Sequence, residues 1–195
     1  MSTPLVADVS SWNPDTQSFF NTLAQKGVKA VIVKLTEGTY YTNPKAKAQI
    51  KAAWKAGLHA HGYHYAHYQT AAQAKAEALY FVKAAKAVGL NGTSVLAVDV
   101  EAPELPKAPL TGLTNTFLST VKGTGFGKVD FYTMASWVKN GYLKPANLLA
   151  KNMWIAAWGV SQPGINNVGT WQFTNNFQGL KVDMSYDFHG LYTKI

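Results

Sequence analysis

The amino-acid sequence predicts an α/β fold, and within that class an irregular β/α barrel, TIM-barrel-like, whose outer ring of helices is incomplete. The first half of the chain alternates apolar, strand-like segments with alanine- and lysine-rich helical segments, which is typical of a parallel sheet with right-handed crossovers. Later strand-like segments lie too close together to enclose full helices. The length of 195 residues also falls short of the about 250 residues that a complete eightfold barrel needs.

Eight segments have the apolar, β-rich composition of buried strands. In chain order they are PLVADVS, VKAVIVKLTEG, GLHAHGYHYAHY, SVLAVDVE, KVDFYTM, NMWIAAWG, GTWQF and LKVDMSYDF. An open, doubly wound sheet is the rival arrangement. No G-x-G-x-x-G or Walker sequence follows any of these strands, so a nucleotide-binding version of that rival is disfavoured.

Helices are predicted between the strands, and glycine marks where the first three end. Gly27, Gly57 and Gly89 follow the first three helical segments, as expected for residues that stop a helix. The predicted helices are Thr16–Lys26, Asn43–Ala56, Thr70–Val88 and Thr111–Lys122, with a short helical turn near Ala135–Asn140.

Composition restricts the function classes. The chain has a formal charge of +8, no cysteine and no arginine, so thiolate metal sites are excluded and arginine-based reading of DNA bases is disfavoured. The lysines are dispersed, which fits either a solvated surface or attraction to an anionic polymer. No apolar run is long enough to span a membrane. The start, MSTPLVADVS, lacks the pattern of a signal peptide, and we expect none.

The segment SVLAVDVE combines an apolar strand with two carboxylates. Side chains alternate along a strand, so Leu96, Val98 and Val100 are expected to face the helices, whereas Val95, Ala97, Asp99 and Glu101 face the barrel interior. The two acids then emerge at the C-terminal mouth, where barrels of this type carry their active sites. Their Cα atoms are about 6.6 Å apart, and like charges at that range move pKa values apart. One carboxyl of the pair can therefore stay protonated as an acid while the other remains ionised.

Other acids are expected at the same mouth. Asp8 ends the first strand and Asp183 lies on the last, and these two strands are neighbours in a closed barrel. Four of the ten acidic residues would then meet there, with Glu37 as a possible fifth. Taken singly, Asp8 as a helix cap and Asp183 as a turn residue are alternatives.

Aromatic side chains near the predicted strand ends indicate a carbohydrate cleft, because flat rings with a polar edge stack well on sugars. They are Tyr63, Tyr65, Tyr132, Trp158 and Trp171. The histidines of HAHGYHYAH permit a carboxylate-and-histidine metal site, but no H-E-x-x-H pattern is present. His64 is expected to point away from His59 and His61, and we expect packed histidines and no metal or other cofactor.

Several motifs in order resemble glycoside hydrolase family 25, the Chalaropsis-type lysozymes of bacteria, fungi and phage endolysins. They are ADVSSWNPD, VIVKLTEGTYYTNP, AGLHAHGYHYAHY, LAVDVEAP, FYT, WIAAWG and WQFT…VDMS. The resemblance spans nearly the whole chain. Two departures concern substrate contacts: GYHYAHY replaces the more usual A-Y-H-F-A-R, and WIAAWG has alanine where arginine is frequent.

The resemblance implies a flattened barrel and N-acetylmuramidase activity, the hydrolysis of the β-1,4 bond from N-acetylmuramic acid to N-acetylglucosamine. It maps the family's D-x-E pair onto Asp99 and Glu101 and its other two catalytic aspartates onto Asp8 and Asp183, with Glu101 as the general acid. The resemblance maps two family tyrosines onto Tyr63 and Tyr132, and we expect substrate contacts there and at Tyr65, Trp158, Glu37, Lys34 and Gln172. The N-acetyl group acting as nucleophile beside Asp99 is the favoured course, and Asp183 as a base for water is the alternative.

These observations together predict a peptidoglycan-degrading enzyme that acts at the bacterial cell wall as a monomer, from a phage endolysin or a bacterial autolysin. Residues 1–195 are expected to form one catalytic domain without a wall-binding module among them, with no nucleic-acid partner and no membrane insertion. A non-catalytic wall-binding module and a chitinase-like glycosidase are the competing hypotheses.

Overall fold

The structure, a computed structural model, describes residues 3–194. Within these residues nine strands belong to one sheet. The strands are β1 (Leu5–Val9), β2 (Val28–Glu37), β3 (Tyr41–Thr42), β4 (His59–Tyr65), β5 (Leu96–Asp99), β6 (Val129–Met134), β7 (Trp154–Ala156), β8 (Thr170–Thr174) and β9 (Asp183–Asp187).

The helices lie mainly in the first two thirds of the chain. They are α1 (Gln17–Gln25), α2 (Ala46–Lys55), α3 (Ala71–Ala87), α4 (Leu110–Lys122) and the short α5 (Ala135–Lys139), followed by a 3-10 turn at Pro145–Asn147. The predicted incomplete ring is confirmed, because no helix separates β7 from β8 or β8 from β9. Among residues 3–194 no helix is both long enough and apolar enough to cross a membrane.

The sheet closes on itself. The order around the barrel is β1-β9-β8-β7-β6-β5-β4-β2, and β2 then pairs in parallel with β1. The short β3 pairs with the end of β2 outside this ring. Because both ends of the sheet are joined, the doubly wound open arrangement is excluded and the predicted barrel is confirmed.

The direction of β9 differs from that of a fully parallel barrel. It runs antiparallel to both β1 and β8. The link from β8 to β9 covers residues 175–182 and contains no helix, and a parallel return needs a crossover of a dozen or more residues. As a result, the start of β9, not its end, lies at the barrel mouth.

The second helix is shorter than predicted. We expected Asn43–Ala56, but α2 begins at Ala46, and residues 41–42 form β3. Asn43 is buried: its Nδ2 donates to the Lys34 carbonyl at 2.8 Å and to Gln49 Oε1 at 3.0 Å. These hydrogen bonds hold Asn43 between β2 and α2, outside the helix that the sequence pattern suggested.

Two apolar layers confirm the predicted division of β5. Leu96, Val98 and Val100 pack with the helices on the outside of the sheet. Val95 and Ala97 pack inside the barrel, with a small group of residues that includes Tyr132, Trp154 and Tyr192. The interior therefore holds small side chains at mid-height and aromatic rings towards both ends.

The basal end of the barrel, opposite the mouth, is closed by the chain after β9. Asp187 accepts hydrogen bonds from consecutive backbone N–H groups at 3.0–3.2 Å, those of residues 190, 191, 192 and 193. Tyr192, inserted into the barrel, donates its hydroxyl to Asp130 Oδ2 at 2.7 Å. Asn152 Nδ2 donates to the same oxygen at 2.8 Å. These bonds fix the basal end as a rigid plug.

Candidate active site

Four carboxyl groups meet at the mouth. Asp8 is the fourth residue of β1 and pairs directly with Asp183, the first residue of β9. Asp99 ends β5, and Glu101 follows two residues later. All four line one cavity of about 170 Å³, together with aromatic side chains and Gln172. The structure thus brings the predicted acids together, and the antiparallel direction of β9 is what places Asp183 there.

The first pair of acids, Asp8 and Asp183, lies on directly paired positions of β1 and β9. Burial and the neighbouring Asp183 charge raise the pKa of Asp8 well above its ordinary value. Burial also raises the pKa of Asp183, while the neighbouring Asp8 side chain opposes that rise. The charged form of Asp8 is therefore the more strongly disfavoured of the two.

The two acids of the second pair, Asp99 and Glu101, differ in how deeply they are buried. Asp99 is only 6% exposed, and its Oδ1 has no hydrogen-bond partner among residues 3–194. Burial and the nearby Glu101 charge raise the pKa of Asp99 well above its usual range, and Lys34 only partly offsets this. Burial also raises the pKa of the half-buried Glu101. The deeper carboxyl, Asp99, therefore bears the larger desolvation cost. The division of charge implied for catalysis, a protonated Glu101 beside an ionised Asp99, stays a prediction.

Gln172 is held between the acids and two aromatic residues. Its Oε1 accepts from the Tyr132 hydroxyl at 3.0 Å and from Trp158 Nε1 at 3.1 Å. With the oxygen fixed by two donors, its Nε2 points to Asp8 Oδ2 at 3.0 Å. This chain of bonds orients the amide and ties the position of the Trp158 ring to the carboxyl cluster.

A polar arm extends the cleft on one side of Glu101. This cavity of about 370 Å³ is lined by Ser10, Ser11, Trp12, Lys34, Glu37, Tyr41, Tyr63, Tyr65, Asp99 and Glu101. Lys34 Nζ lies 2.6 Å from Glu37 Oε2 and 4.7 Å from the centre of the Tyr65 ring. Burial raises the pKa of Glu37, but hydrogen bonds from Lys34 and His67 outweigh it and lower that pKa overall.

An apolar arm extends the cleft on the other side. It has a volume of about 340 Å³ and is lined by Glu101, Tyr132, Met134, Ala135, Ser136, Ala156, Ala157 and Trp158. Glu101 lines this arm, the central cavity and the polar arm. A polymer lying along the cleft would therefore pass Glu101 at the junction of all three.

Comparison with known proteins agrees with this geometry. The family model of glycosyl hydrolases family 25 matches residues 7–181, which is most of the chain. This range includes Asp8, Asp99 and Glu101 and ends shortly before Asp183. The chain belongs to glycosyl hydrolase family 25.

The chain is also similar to proteins of known sequence or structure. Lysozyme M1 of Streptomyces globisporus is 27% identical over 176 residues, covering 85% of this chain; the chain spans 59% of that relative's length. The catalytic domain of endolysin ply40, from bacteriophage P40 of Listeria monocytogenes, has a TM-score of 0.84 at 24% identity and covers 98% of this chain and 96% of its own. The modular autolysin LytC of Streptococcus pneumoniae, solved with a synthetic peptidoglycan ligand, has a TM-score of 0.82 at 20% identity, covering 94% and 46%.

Two buried histidines of this family 25 chain, His61 and His64, are structural. His61 Nδ1 accepts from the Val95 N–H at 3.0 Å and its Nε2–H donates to the Tyr192 carbonyl at 2.9 Å, so it is neutral, and burial lowers its pKa to about 4. His64 points to the helices and lies 2.8 Å from Glu77 Oε2. No group of three or more potential metal ligands occurs within the described part of the chain.

His67 stands where the family resemblance expects arginine. Its Nε2 lies 2.9 Å from Glu37 Oε1, and its Nδ1 contacts Glu104. A cationic or hydrogen-bonding side chain is therefore retained beside Glu37, at the rim of the polar arm.

Sequence reasoning missed several residues of this family 25 cleft. Trp154 lines the central cavity, and Trp12, which is 94% exposed, lines the polar arm with Tyr41. Trp171, in contrast, was expected at the cleft but packs outside the barrel beside Phe173 and donates to the Ala157 carbonyl at 2.8 Å. Strand alternation contains the signal, since Gln172 faces inward and its neighbour Trp171 must then face outward.

Proposed function

We propose that this family 25 chain is an N-acetylmuramidase, a lysozyme that hydrolyses the β-1,4 bond between N-acetylmuramic acid and N-acetylglucosamine in peptidoglycan. The observation that carries the proposal is the Asp99–Glu101 pair, in which one carboxyl is deeply buried and the other is reachable from all three parts of the cleft. Support also comes from the lysozyme and endolysin relatives and from the peptidoglycan ligand bound by LytC.

Glu101 is proposed as the general acid. It is the only one of the four mouth carboxyls that lines both arms of the cleft, so a glycosidic oxygen bound across the junction lies within its reach. Burial and the charge of Asp183 raise its pKa, which keeps it protonated closer to neutral pH than an ordinary glutamate. It would donate its proton to the departing sugar oxygen.

Asp99 is proposed to accept the N–H of the substrate's N-acetyl group. Its Oδ1 is buried and has no partner among residues 3–194, and a buried acceptor of this kind gains from a donor that arrives with the ligand. A hydrogen bond to the ionised form lowers a carboxyl pKa. Substrate binding would therefore ionise Asp99 and leave the proton of the pair on Glu101, as the role of general acid requires.

The ionised Asp99 would then stabilise the positive charge that develops as the N-acetyl oxygen attacks the anomeric carbon. That bond forms as the glycosidic bond breaks, and water later opens the cyclic intermediate with Glu101 as the base. The alternative, with Asp183 activating water for direct displacement, inverts the anomeric configuration. Proton NMR of the first-formed product separates the two courses, and we expect retention.

Mass spectrometry of digested peptidoglycan tests the function directly. After borohydride reduction, the new reducing ends should be muramic acid residues. Reduced glucosamine ends would overturn the muramidase proposal, and release from chitin oligomers at a comparable rate would favour a chitinase-like enzyme. A non-catalytic wall-binding module is disfavoured by membership of a glycosyl hydrolase family. It would give no new ends at all.

We further propose that residues 1–195 act as one catalytic domain, as a monomer, at the bacterial cell wall. The barrel formed by residues 3–194 accounts for the whole cleft without a second chain. Sedimentation at working concentration tests the monomer, and a dimer whose dissociation changes activity would contradict it.

A further inference from the structure

A second concave surface lies at the basal end of the barrel, opposite the cleft. This basal pocket has a volume of about 410 Å³ and is lined by Lys122, Gly127, Lys128, Val129, Leu149, Ala150, Lys151, Asn152, His189 and Leu191. Lys122 ends α4, Lys128 precedes β6, Lys151 precedes β7 and His189 follows β9. Elements far apart in sequence thus bring three lysines and a histidine to one place.

The positive charge of the basal pocket is not compensated. No carboxylate lines it, and none of its three lysines takes part in the ion pairs found among residues 3–194. Lys151 Nζ donates to the Leu148 carbonyl at 2.7 Å, which uses one of the three donors of an ammonium group. Asp130 and Asp187 lie beneath the pocket but are buried and bonded internally.

The distribution of acids strengthens this positive field. Of the ten acidic residues, four meet at the mouth, and Glu37 and Glu104 contact His67 at its rim. Three more, Glu77, Asp130 and Asp187, are buried. Asp15 alone remains elsewhere, so the surface away from the mouth carries lysines almost without acids, and an anion is drawn towards it.

The pocket is also preorganised and has the right character for an organic phosphate. Its floor is the basal plug, in which Asn152 is bonded to Asp130 and to Thr170, both at 2.8 Å. Its walls include Val129, Leu149 and Leu191. Apolar walls with a few converging charges are typical of small-molecule sites, and the volume exceeds what a bare phosphate ion fills.

We propose that the basal pocket binds the phosphate groups of a polyanionic wall polymer, a chain of polyol units joined by phosphodiesters. The choice of a wall polymer rests on the proposed function, because an enzyme that cleaves peptidoglycan works where such polymers are attached. Nucleic acid fits less well, since no aromatic side chain lines the pocket to stack on a base. Binding at the basal end leaves the cleft free to act on the glycan strand.

The test compares two triple variants of equal charge. The basal variant is K122Q/K128Q/K151Q, and the control is K47Q/K75Q/K83Q, which removes three exposed lysines from α2 and α3. All proteins carry E101Q so that walls stay intact. Binding is measured to poly(glycerol phosphate) by calorimetry, and to purified walls by pelleting, before and after extraction of the phosphate polymer.

The basal variant should bind poly(glycerol phosphate) about tenfold or more weakly than the E101Q parent, with a smaller salt dependence, because specific phosphate contacts are lost. The control should weaken binding less than about twofold. Extracted walls should bind the basal variant and the parent equally. Equal weakening of poly(glycerol phosphate) binding by both variants would overturn the proposal. It would also be overturned if the basal variant lost as much binding to duplex DNA or to phosphatidylglycerol vesicles as it loses to poly(glycerol phosphate). These outcomes do not depend on whether the product analysis supports a muramidase.

Discussion

Asp187 at the basal end and Asp99 at the mouth are both buried carboxylates, but their surroundings are opposite. Asp187 accepts six hydrogen bonds, four from backbone N–H groups and two from threonine hydroxyls. Asp99 has another acid two residues away and an oxygen without a partner among the described residues. A buried charge is stable when donors surround it and costly when they do not. The basal end is therefore built for stability, and the mouth for proton chemistry.

The largest difference between the two ends should appear in activity. Glu101→Gln at the mouth removes the proposed acid and should lower kcat by about 10²- to 10⁴-fold, measured as lysis of purified walls. Glu104→Gln is the matched control, an exposed rim carboxylate outside the three cavities, and should keep activity within about threefold. Full activity in Glu101→Gln would contradict the assigned role.

The next difference should appear in stability. Asp187→Ala leaves a row of buried backbone donors without an acceptor and should lower the free energy of unfolding by about 3–5 kcal/mol. For a protein of this size that corresponds to a fall in Tm of about 10 °C, measured by calorimetry. Asp15→Ala, which removes an acid outside both clusters, should change Tm by about 1 °C or less. If Asp187→Ala also changed Tm by only about 1 °C, this result would contradict the structural role of the basal hydrogen bonds.

At the mouth, removal of a charge should have the opposite sign. Asp99→Asn at pH 8 relieves a desolvated, repelled carboxylate and should raise stability by about 1–3 kcal/mol while activity falls. Glu37→Gln is the control, because the hydrogen bonds from Lys34 and His67 that lower the Glu37 pKa stabilise its ionised form. That variant should lose about 1 kcal/mol or less. If Asp99→Asn were destabilised as well, the buried carboxyl of Asp99 would not lower the stability of the folded protein, contrary to this prediction.

The dependence of stability on pH follows from the same carboxyl groups. Burial raises the pKa values of Asp8, Asp99 and Glu101, and it raises that of Asp130 to about 7. The folded state then binds more protons than the unfolded state above pH about 4, so stability falls as pH rises through these folded pKa values. The buried His61, whose pKa is lowered to about 4, acts in the opposite direction below the unfolded pKa of histidine, about 6.5. Tm should therefore decrease from pH about 6.5 to pH about 8, with a smaller decrease in Asp99→Asn. A Tm that rises over this range would contradict the assigned shifts.

The smallest effect should come from the hydrogen bonds that orient the Gln172 amide. Tyr132→Phe removes one of the two donors to Gln172 Oε1 and should lower kcat/KM by about three- to tenfold, the equivalent of one hydrogen bond. Tyr68→Phe also loses a buried hydroxyl, bonded to Thr114 at 2.9 Å, but lies away from the cleft and should leave the kinetic constants unchanged. Equal kinetic losses in both variants would point to a general loss of rigidity.

Several features of the site were predictable because they depend on local periodicity. Alternation along SVLAVDVE placed Val95, Ala97 and Asp99 inside the barrel and Leu96 outside. The same alternation along KVDFYTM puts Asp130 on the inner face with Tyr132, so the position of this basal acid is also predictable from the sequence. Trp12 carried no such signal, since it lies in a loop after β1 and reaches the cleft only through the path of that loop.

The barrel, the strands that carry the acids and the family of the chain could all be read from the sequence, because they follow from periodicity and from ordered motifs. The antiparallel direction of β9, which pairs Asp183 with Asp8, became clear only from the three-dimensional arrangement. That arrangement also sets which carboxyl is deepest, and hence that Asp99 rather than Glu101 bears the larger desolvation cost. The physical reason is that a pKa depends on the burial, charges and donors around a group, and those neighbours come from strands far apart in the chain.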